Sequence, residues 1–258
     1  MEMKTEIRKY CCLALDPLHV GAGGYRLGRA DNTIVREPAT GVPKLPGTSI
    51  AGTMREYYRI HLQEEGKDEQ EVIDVFGDES RRGRVRFYDG QILFFPVLST
   101  EGTVWVTTPE LLEYWLDIKL DPQGGVTAIH ELDSDHINLG WLYFKSRKDP
   151  KELPSMIVKW VKRAVSVPDT LFSQIVNDNL EVRTSVRIDP ETGTAKSGAL
   201  FTYEAIPRGT ILAFEMGFEE EFEVEDILPY FRYMGIGGMG TRGFGRIEIR
   251  ELKEDAEP

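Results

Sequence analysis

The sequence predicts an α+β fold built on an antiparallel sheet. Segments that alternate apolar and polar residues, as strands do, are mixed with segments that repeat apolar residues at helical spacing. The two kinds of segment do not follow each other in the regular order of a doubly wound parallel sheet. The length of 258 residues allows one elaborated domain or two small ones.

The elements of the first half follow from apolar spacing and from residues that stop helices and strands. Alternation ends at Asp16-Pro17, and a glycine-rich loop occupies 21–24. Prolines and glycines in 40–47 forbid a helix until Thr48 or Ser49 can cap one. We therefore predict a strand in 6–20, a helix over 49–64, two short strands in 84–98 around Asp89-Gly90, and a helix that begins at Thr108.

The second half contains an irregular region followed by a hairpin. Positions 118–165 carry no clean period, which predicts an insertion with one helix, roughly 151–165. The alternating runs 182–188 and 199–205 are joined by the turn sequence 189–193, and this arrangement predicts a long β-hairpin. The remaining predictions are a strand over 210–218, a helix near 225–233, a glycine loop at 235–245 and a last strand over 246–252.

Composition limits the classes of protein that the chain can be. Hydrophobic residues make up 41% and charged residues 29%, a balance typical of soluble globular proteins, and no apolar run approaches the ~18 residues of a membrane helix. The two cysteines, Cys11 and Cys12, are adjacent and the four histidines are scattered, so no ligand spacing for zinc is present. Because the chain starts with charged residues and no signal peptide, we expect a cytoplasmic protein without a membrane partner.

The net charge of −12, taken alone, argues against a nucleic-acid partner. The charges are segregated, however, because six basic residues and three acids lie between Arg26 and Arg59, whereas 215–226 holds seven acids and no base. One face could therefore hold a polyanion. Ordinary solvated surface charge is the simpler explanation of the same pattern.

Two glycine-containing segments could bind an anion. The helix start 45–55 offers hydroxyls and free backbone N–H groups to a phosphate, with Arg55 within reach, although a plain helix cap is the alternative. The loop 235–245 packs six glycines around Thr241-Arg242, and close approach to a phosphate or sugar is one reason for such density. A structural glycine turn is another. A nucleotide-cofactor site is disfavoured because the loop follows a helix and precedes a strand, the reverse of the dinucleotide-binding order.

Asp31 is the candidate for chemistry. It follows the first glycine-rich loop and stands between Arg29 and Arg36. A carboxylate among arginines usually forms a structural ion pair, but beside a phosphodiester it could hold a divalent metal or help deprotonate a ribose 2′-hydroxyl. His19, next to the same loop, is a second acid–base candidate or a structural histidine.

Six segments occur together in a recognisable order: Leu18–Gly23, Asp31–Glu37, Lys44–Arg55, Phe94–Ser99, Thr107–Pro109 and the terminal glycine loop. In this the chain resembles the RAMP superfamily of CRISPR effector proteins, most closely the repeating backbone subunit of type III-B (Cmr) complexes. The Pro-Val-x-Ser and Thr-x-Pro pieces favour the Cmr backbone over its type III-A (Csm) counterpart. One departure is Ala51, where the family often carries a lysine.

The resemblance implies a single domain over 1–258 with an RRM-like (ferredoxin-like) antiparallel core at 1–108 and 206–258. It also implies a helical insertion at about 109–178 and a thumb hairpin at about 179–205 that wedges between guide and target. Several copies, with other Cmr subunits, would stack along one CRISPR RNA. The RNA-binding candidates are Lys44, Ser49, Gly52, Arg55, Arg183, Arg187, Gly237, Gly238, Gly240, Thr241 and Arg242.

The resemblance also implies an activity. Asp31 falls where the family keeps its catalytic aspartate, so the implied reaction is cleavage of single-stranded target RNA with magnesium or manganese and the target's own 2′-hydroxyl. His19 is the second catalytic candidate. The alternative is an RNA-binding scaffold without chemistry, which would not need an acid at this position.

Overall fold

The computed structural model of the protein describes residues 5–23, 30–120, 124–220 and 222–253. Its strands are β1 (Glu6–Ala14), β2 (Lys44–Leu45), β3 (Val85–Phe87), β4 (Gly90–Ser99), β5 (Gly102–Thr107), β6 (Val126–His130), β7 (His136–Leu139), β8 (Leu142–Lys148), β9 (Ala164–Ser166), β10 (Glu181–Ile188), β11 (Ala195–Ala205), β12 (Ile211–Phe218) and β13 (Ile247–Glu251). Its helices are α1 (Gly47–Glu65), α2 (Gln70–Phe76), α3 (Pro109–Leu116), α4 (Ser155–Trp160), α5 (Asp169–Asp178) and α6 (Tyr230–Tyr233).

One large sheet organises the protein. Its first four strands lie in the order β13-β1-β12-β4, and each neighbouring pair is antiparallel. The sheet continues through β5, β9, β6, β8 and β7, where two of the pairs are parallel. The prediction of an α+β fold with an antiparallel sheet is therefore confirmed, with a mixed extension.

Helices cover both faces of the central strand β1. Tyr10 and Cys12 pack on one side in the same core as Met54 of α1, whereas Cys11 packs on the other side in a core with Trp115 of α3. Tyr10, Cys11 and Cys12 are all fully buried. The faces of this part of the sheet are thus closed, and exposed surface for a ligand lies at the loops and at the hairpin.

The segment 109–178 is not the helical insertion that we expected. It contains α3, α4 and α5, but also the four strands β6 to β9, which extend the sheet. The helix predicted at 151–165 is only the six residues of α4, and it ends because 164–166 must extend to pair with Trp105–Thr107 of β5. Strand pairing with distant residues overrides the local helical signal here.

The first strand ends at Ala14, just before the Asp16-Pro17 stop that the sequence predicts. Two smaller predictions are corrected. The helix near 225–233 is only α6, because Pro229, which has no N–H, separates it from the turns before it. β3 and β4 do not pair around Asp89-Gly90; both pair with β12. In addition, α2 forms inside the acidic segment for which no helix was predicted.

The predicted hairpin forms as a separate two-stranded sheet of β10 and β11, with register from Glu181–Ala205 to Ile188–Ala195. Apolar side chains are exposed along it, including Val186 and its cross-strand partner Leu200. The helix predicted from Thr108 is confirmed as well, since the Thr108 side chain accepts from the N–H of Leu111. Among the described residues, no helix is long and apolar enough to cross a membrane.

Candidate nucleic-acid interface

A short segment that begins at Asp31 runs beside the hairpin strand β11. The N–H of Asn32 donates to the carbonyl of Thr202 (3.0 Å), and the N–H of Glu204 donates to the carbonyl of Asn32 (2.9 Å). Asn32 also forms an isolated parallel bridge with Tyr203. These bonds place Asp31 directly against the hairpin.

Thr202 holds one oxygen of the Asp31 carboxylate. Oδ2 of Asp31 accepts from the N–H and from the hydroxyl of Thr202, each at 2.8 Å, while the N–H of Asp31 donates to the same hydroxyl at 2.9 Å. The side chain is exposed, and no described residue donates to Oδ1. The bonds from Thr202, first from its backbone and then from its hydroxyl, lower the pKa of Asp31, so the group is an anion at neutral pH.

His19 is buried against the same strand with its ring orientation fixed. Nδ1 lies 2.7 Å from the carbonyl oxygen of Glu204, and because a carbonyl can only accept, Nδ1 carries the proton. The ring packs edge-on against Tyr203, with 5.8 Å between centroids. In the neutral ring the lone pair therefore lies on Nε2. The two predicted catalytic residues, His19 and Asp31, thus contact β11 two positions apart.

The ion pair suggested between Asp31 and Arg36 is not formed. Arg36 donates instead to Oε1 of Glu204 at 2.6 Å and to the side chain of Asn177 at 3.1 Å. Glu204 is only 6% exposed, so this pair is largely buried and structural. Arg29, the other suggested partner, lies outside the described residues.

The terminal glycine loop packs on the backbone of His19. The N–H of Gly238 donates to the His19 carbonyl (2.9 Å), and a Cβ at Gly237 would lie 2.7 Å from the same oxygen. A Cβ at Gly245 would lie 2.6 Å from the carbonyl oxygen of Ile236. Gly237 and Gly245 also have positive φ angles of 83° and 99°. Internal packing therefore requires glycine at these two positions. This supports, for these two residues, the alternative of a structural glycine turn.

The exposed tip of this loop carries a cation, Arg242, beside the hairpin. Gly240, Thr241 and Arg242 form a single 3-10 turn and are exposed. Nη1 of Arg242 donates to the hydroxyl of Tyr203 at 3.0 Å, and the guanidinium lies over that ring at 5.7 Å. Within the described part of the chain, no carboxylate pairs with Arg242, so its charge is available to a phosphate.

Arg183 and Arg187 are the predicted phosphate contacts of β10. The guanidinium of Arg183 lies over the ring of Phe244 at 4.6 Å, and its Nη1 is 3.5 Å from the carbonyl oxygen of Gly243. Its Nε also pairs with Glu181. Arg183 is thereby brought to the terminal loop, with part of its charge already engaged. The side chain of Arg187 lies outside the described part of the structure.

The start of α1 already binds a carboxylate of the protein. The N–H of Gly47 donates to Asp89 Oδ1 at 2.8 Å, and Nζ of Lys44 contacts Asp89 Oδ2 at 2.6 Å and Glu37 at 3.1 Å. The Gly47 N–H and then Lys44 lower the pKa of Asp89, whereas Asp89 and then Glu37 raise the pKa of Lys44. The groups that predicted a phosphate site are therefore engaged within the protein.

Lys44 also lines a cavity of about 410 Å³ with an acidic wall. Against this one basic residue the lining carries five carboxylates, Glu37, Asp89, Glu110, Asp169 and Glu215. A polyanion is repelled by such a wall. The surroundings of Lys44 thus differ from those of Asp31 and Arg242.

Farther along α1, the predicted residues are more accessible. Ser49 is half-buried in the first turn, whereas Gly52 and Arg55 are exposed three positions apart on one helix face. No described acid pairs with Arg55, and the space around Gly52 is open. The hydroxyl of Tyr57 donates to the carbonyl of Gly235, which joins the middle of α1 to the terminal loop.

Internal ion pairs cancel much of the charge segregation. Of the basic residues in 26–59, three pair with acids: Arg36, Lys44 and Arg59. The acidic segment is in turn bound by three arginines: Arg82, Arg84 and Arg86. Arg26, like Arg29, lies outside the described residues. The pattern of charge along the chain therefore does not tell which bases are free.

The described residues do not build a complete metal centre. No three His, Cys, Asp or Glu side chains among them are grouped to hold a metal ion. Asp31 offers one carboxylate oxygen without a described donor. Magnesium keeps several waters and is usually held by one or two carboxylates together with substrate phosphates. The site therefore fits a cation shared with a phosphorylated ligand, not one enclosed by the protein.

Three residues of the candidate site were not predicted from the sequence. They are Thr202, which contacts Asp31, Tyr203, which contacts Arg242, and Glu204, which contacts His19. Glu204 could have been noticed, because an acid at the end of a strand that leads into the core needs a buried partner. Thr202 carried no such signal, since its contact with Asp31 spans 171 positions of the chain.

The fold and this site define a class of protein. The chain belongs to the RAMP superfamily, which it matches over residues 12–248. It is 29% identical to the CRISPR system Cmr endoribonuclease Cmr4 of Pyrococcus furiosus over 280 aligned residues, which cover 92% of this chain and 94% of the relative. A shorter match, 33% identical over 97 residues, covers 34% of this chain and 45% of the CRISPR system Cms endoribonuclease Csm3 of Enterococcus italicus.

Solved structures show the same fold. A chain of the type III-B Cmr-beta complex in its apo state superposes with a TM-score of 0.77 and 20% identity, covering 96% of this chain and 98% of that one. Oligomeric Cmr4 from Pyrococcus furiosus superposes with a TM-score of 0.68 and 22% identity, covering 97% and 100%. The resemblance stated from the sequence motifs is confirmed at the level of the family.

Proposed function

We propose that the protein is a CRISPR RNA-binding backbone subunit of a type III-B effector complex and that it cleaves complementary target RNA. The observation that carries the proposal is the convergence at β11 of an exposed, ionised Asp31, an oriented His19 and the guanidinium of Arg242, with which no described carboxylate pairs. The name of the Pyrococcus relative, a Cmr endoribonuclease, supports it. So does the likeness of the fold to a Cmr-beta chain in a complex bound to cognate target RNA, with a TM-score of 0.78.

The fold details implied by the family enter the proposal as well. The order β13-β1-β12-β4 is the order fourth, first, third, second of an RRM-like sheet, and α1 and α6 lie in the two connections that such a sheet needs. The separate sheet of β10 and β11 supports a thumb hairpin at about 179–205. Its exposed apolar side chains suit contact with unpaired bases. Further copies of the chain and other Cmr subunits are the proposed protein partners.

In the proposed reaction, the 2′-hydroxyl of the target RNA loses its proton and its oxygen attacks the adjacent phosphorus. The P–O5′ bond breaks, so the products are a 2′,3′-cyclic phosphate and a 5′-hydroxyl, whose oxygen takes up a proton. Oδ1 of Asp31 is the oxygen available to the RNA, because Oδ2 is occupied by Thr202. A divalent cation, magnesium or manganese, held by Asp31 and RNA phosphates would neutralise charge at the reacting phosphate. His19 holds its lone pair on Nε2, so it accepts a proton or orients the sugar there. Arg242 binds backbone phosphate next to the hairpin.

The test uses the assembled effector complex, a matched guide and a labelled target RNA in magnesium or manganese. We expect cleavage at regular positions, and a single 2′-deoxy nucleotide immediately 5′ of a cleaved bond should protect that bond alone. A chelator should stop all cleavage. An intact target with normal guide and target binding would leave the non-catalytic scaffold, which the lack of a grouped set of metal ligands among the described residues also allows. Cleavage at a deoxy position would reject the 2′-hydroxyl mechanism.

A further inference from the structure

We propose that Thr202 of the hairpin is the positioning residue of the Asp31 carboxylate. The inference rests on the proposed function, since it assigns Thr202 a role in RNA cleavage that acts through Asp31. Its basis is geometric: both donors of Thr202, the N–H and the hydroxyl, end on the same carboxylate oxygen.

The hydroxyl of Thr202 cannot rotate away while these contacts last. Its oxygen accepts the N–H of Asp31 at 2.9 Å, and its hydrogen points to Oδ2 of the same residue at 2.8 Å. A hydroxyl that accepts and donates at once has a fixed direction. The backbone of Asp31 is fixed too, because the next residue, Asn32, bonds the Thr202 carbonyl.

As a consequence, the two carboxylate oxygens of Asp31 have different roles. Oδ2 takes two bonds from Thr202, whereas Oδ1 has no donor among the described residues and belongs to an exposed side chain. An exposed aspartate would otherwise sample several χ1 and χ2 angles. Thr202 therefore selects one orientation, in which Oδ1 is presented to the RNA before the target arrives. Such preorganisation affects the rate at saturation rather than the affinity.

The experiment compares Thr202→Val, which keeps the shape and the N–H but loses the hydroxyl, with Thr202→Ser, which keeps the hydroxyl. Single-turnover cleavage of target RNA is measured in the assembled complex over a range of complex concentrations. We expect Thr202→Val to lower the saturating rate about 10- to 100-fold and to leave the half-saturating concentration within about twofold. Thr202→Ser should recover the rate to within about threefold of the unmodified protein.

A matched control lies on the opposite strand. Thr184 is the direct cross-strand partner of Thr202, so Thr184→Val removes one hydroxyl from the same rung of the hairpin without touching Asp31. It should cleave at the normal rate. A readout independent of activity is hydrogen exchange at the Asp31 amide, which donates to the Thr202 hydroxyl. Exchange there should be faster in Thr202→Val and unchanged in Thr184→Val.

The outcomes separate this inference from the proposed function. If Asp31→Asn cleaves as fast as the unmodified complex, the proposed function fails. If Asp31→Asn is inactive but Thr202→Val cleaves normally, or changes only the half-saturating concentration, the positioning role is wrong. Failure of both Thr202→Val and Thr202→Ala to assemble would also overturn it, because the hydroxyl would then hold the hairpin to the core.

Discussion

The terminal glycine loop, whose tip lies beside the base of the hairpin strand β11, and the start of α1 carry similar sequence signals but differ in structure. Both combine glycine, a hydroxyl residue and a basic side chain. At β11, Arg242 contacts the Tyr203 hydroxyl and keeps its charge free of described carboxylates. At α1, Lys44 and the first helical N–H both bind Asp89.

Whether an anion-binding motif can take a ligand therefore depends as much on the residues packed around it as on its own residues. A helix N-terminus attracts any nearby anion, and a carboxylate of the same chain is already at high local concentration. Asp89 reaches the helix start from 42 positions away in the chain. No comparable acid reaches Arg242 or Arg55 in the described part of the molecule, so these two bases are the better candidates for RNA contact.

The largest effect should come from removing the charge at β11. Asp31→Asn is nearly isosteric and can still accept from Thr202, so packing and assembly should persist. Target cleavage in the assembled complex should fall by ~10² to 10⁴-fold or more, because the variant loses the negative charge that would hold a metal ion or take the 2′-hydroxyl proton. His19→Ala should be milder, since a buried imidazole also serves packing. Normal cleavage by Asp31→Asn would show that the reaction does not need the Asp31 carboxylate.

Breaking the support of the same site should cost stability. Glu204→Ala leaves Arg36 without its largely buried partner, and we expect about 2 kcal/mol of destabilisation, below the ~3–5 kcal/mol of a fully buried pair because Arg36 is partly exposed. Chemical denaturation measures this value. Glu191→Ala, in the exposed hairpin turn, is the control and should change stability by less than about 0.5 kcal/mol. Equal effects would show that the pair contributes nothing.

RNA affinity tests the comparison directly. Arg242→Ala or Arg55→Ala should weaken binding of single-stranded RNA about three- to tenfold and reduce the slope of log K against log salt by about 0.7. Lys44→Ala should change affinity less than about twofold, because its charge is neutralised by Asp89 and Glu37. Glu223→Gln is the control for a change of exposed charge. A Lys44 variant as weak as the Arg242 variant would reject our distinction.

The start of α1 should instead respond to pH through stability. The pKa of Asp89 is lowered in the folded protein, so its contribution is present above the unfolded value of about 4 and is lost as pH falls through the folded pKa. Asp89→Asn should cost about 1 kcal/mol at pH 7. The difference in melting temperature from the unmodified protein should shrink as the pH falls below about 4. A constant difference would show that the charge of Asp89 is irrelevant.

The smallest effect on stability is expected at the hairpin tip. Replacing 190–193 by a two-residue turn should leave the melting temperature within a few degrees, because these residues are exposed and outside both hydrophobic cores. Target engagement in the assembled complex should nevertheless weaken. Unfolding of the chain would mean that the hairpin is a core strand pair.

Local sequence patterns predicted those features that are set by interactions between neighbouring residues. The apolar spacing of α1, the Thr108 cap of α3 and the turn between β10 and β11 were each predictable, because neighbours in the chain decide them. The order of motifs also indicated the family and placed Asp31 and His19 as candidates. The strands of 126–166 were not predictable in the same way, because their pairing partners lie far away in the sequence.

The tertiary structure alone decided which of the candidate residues lie together. It places Thr202 in contact with Asp31, 171 positions away in the sequence, and pairs Arg36 with Glu204, 168 positions away. It also placed Asp89 at the helix start where a phosphate was expected. Each of these contacts joins groups that are close in space but far apart in the sequence. The sequence therefore shows which chemical groups are present, and only the fold shows which of them remain free.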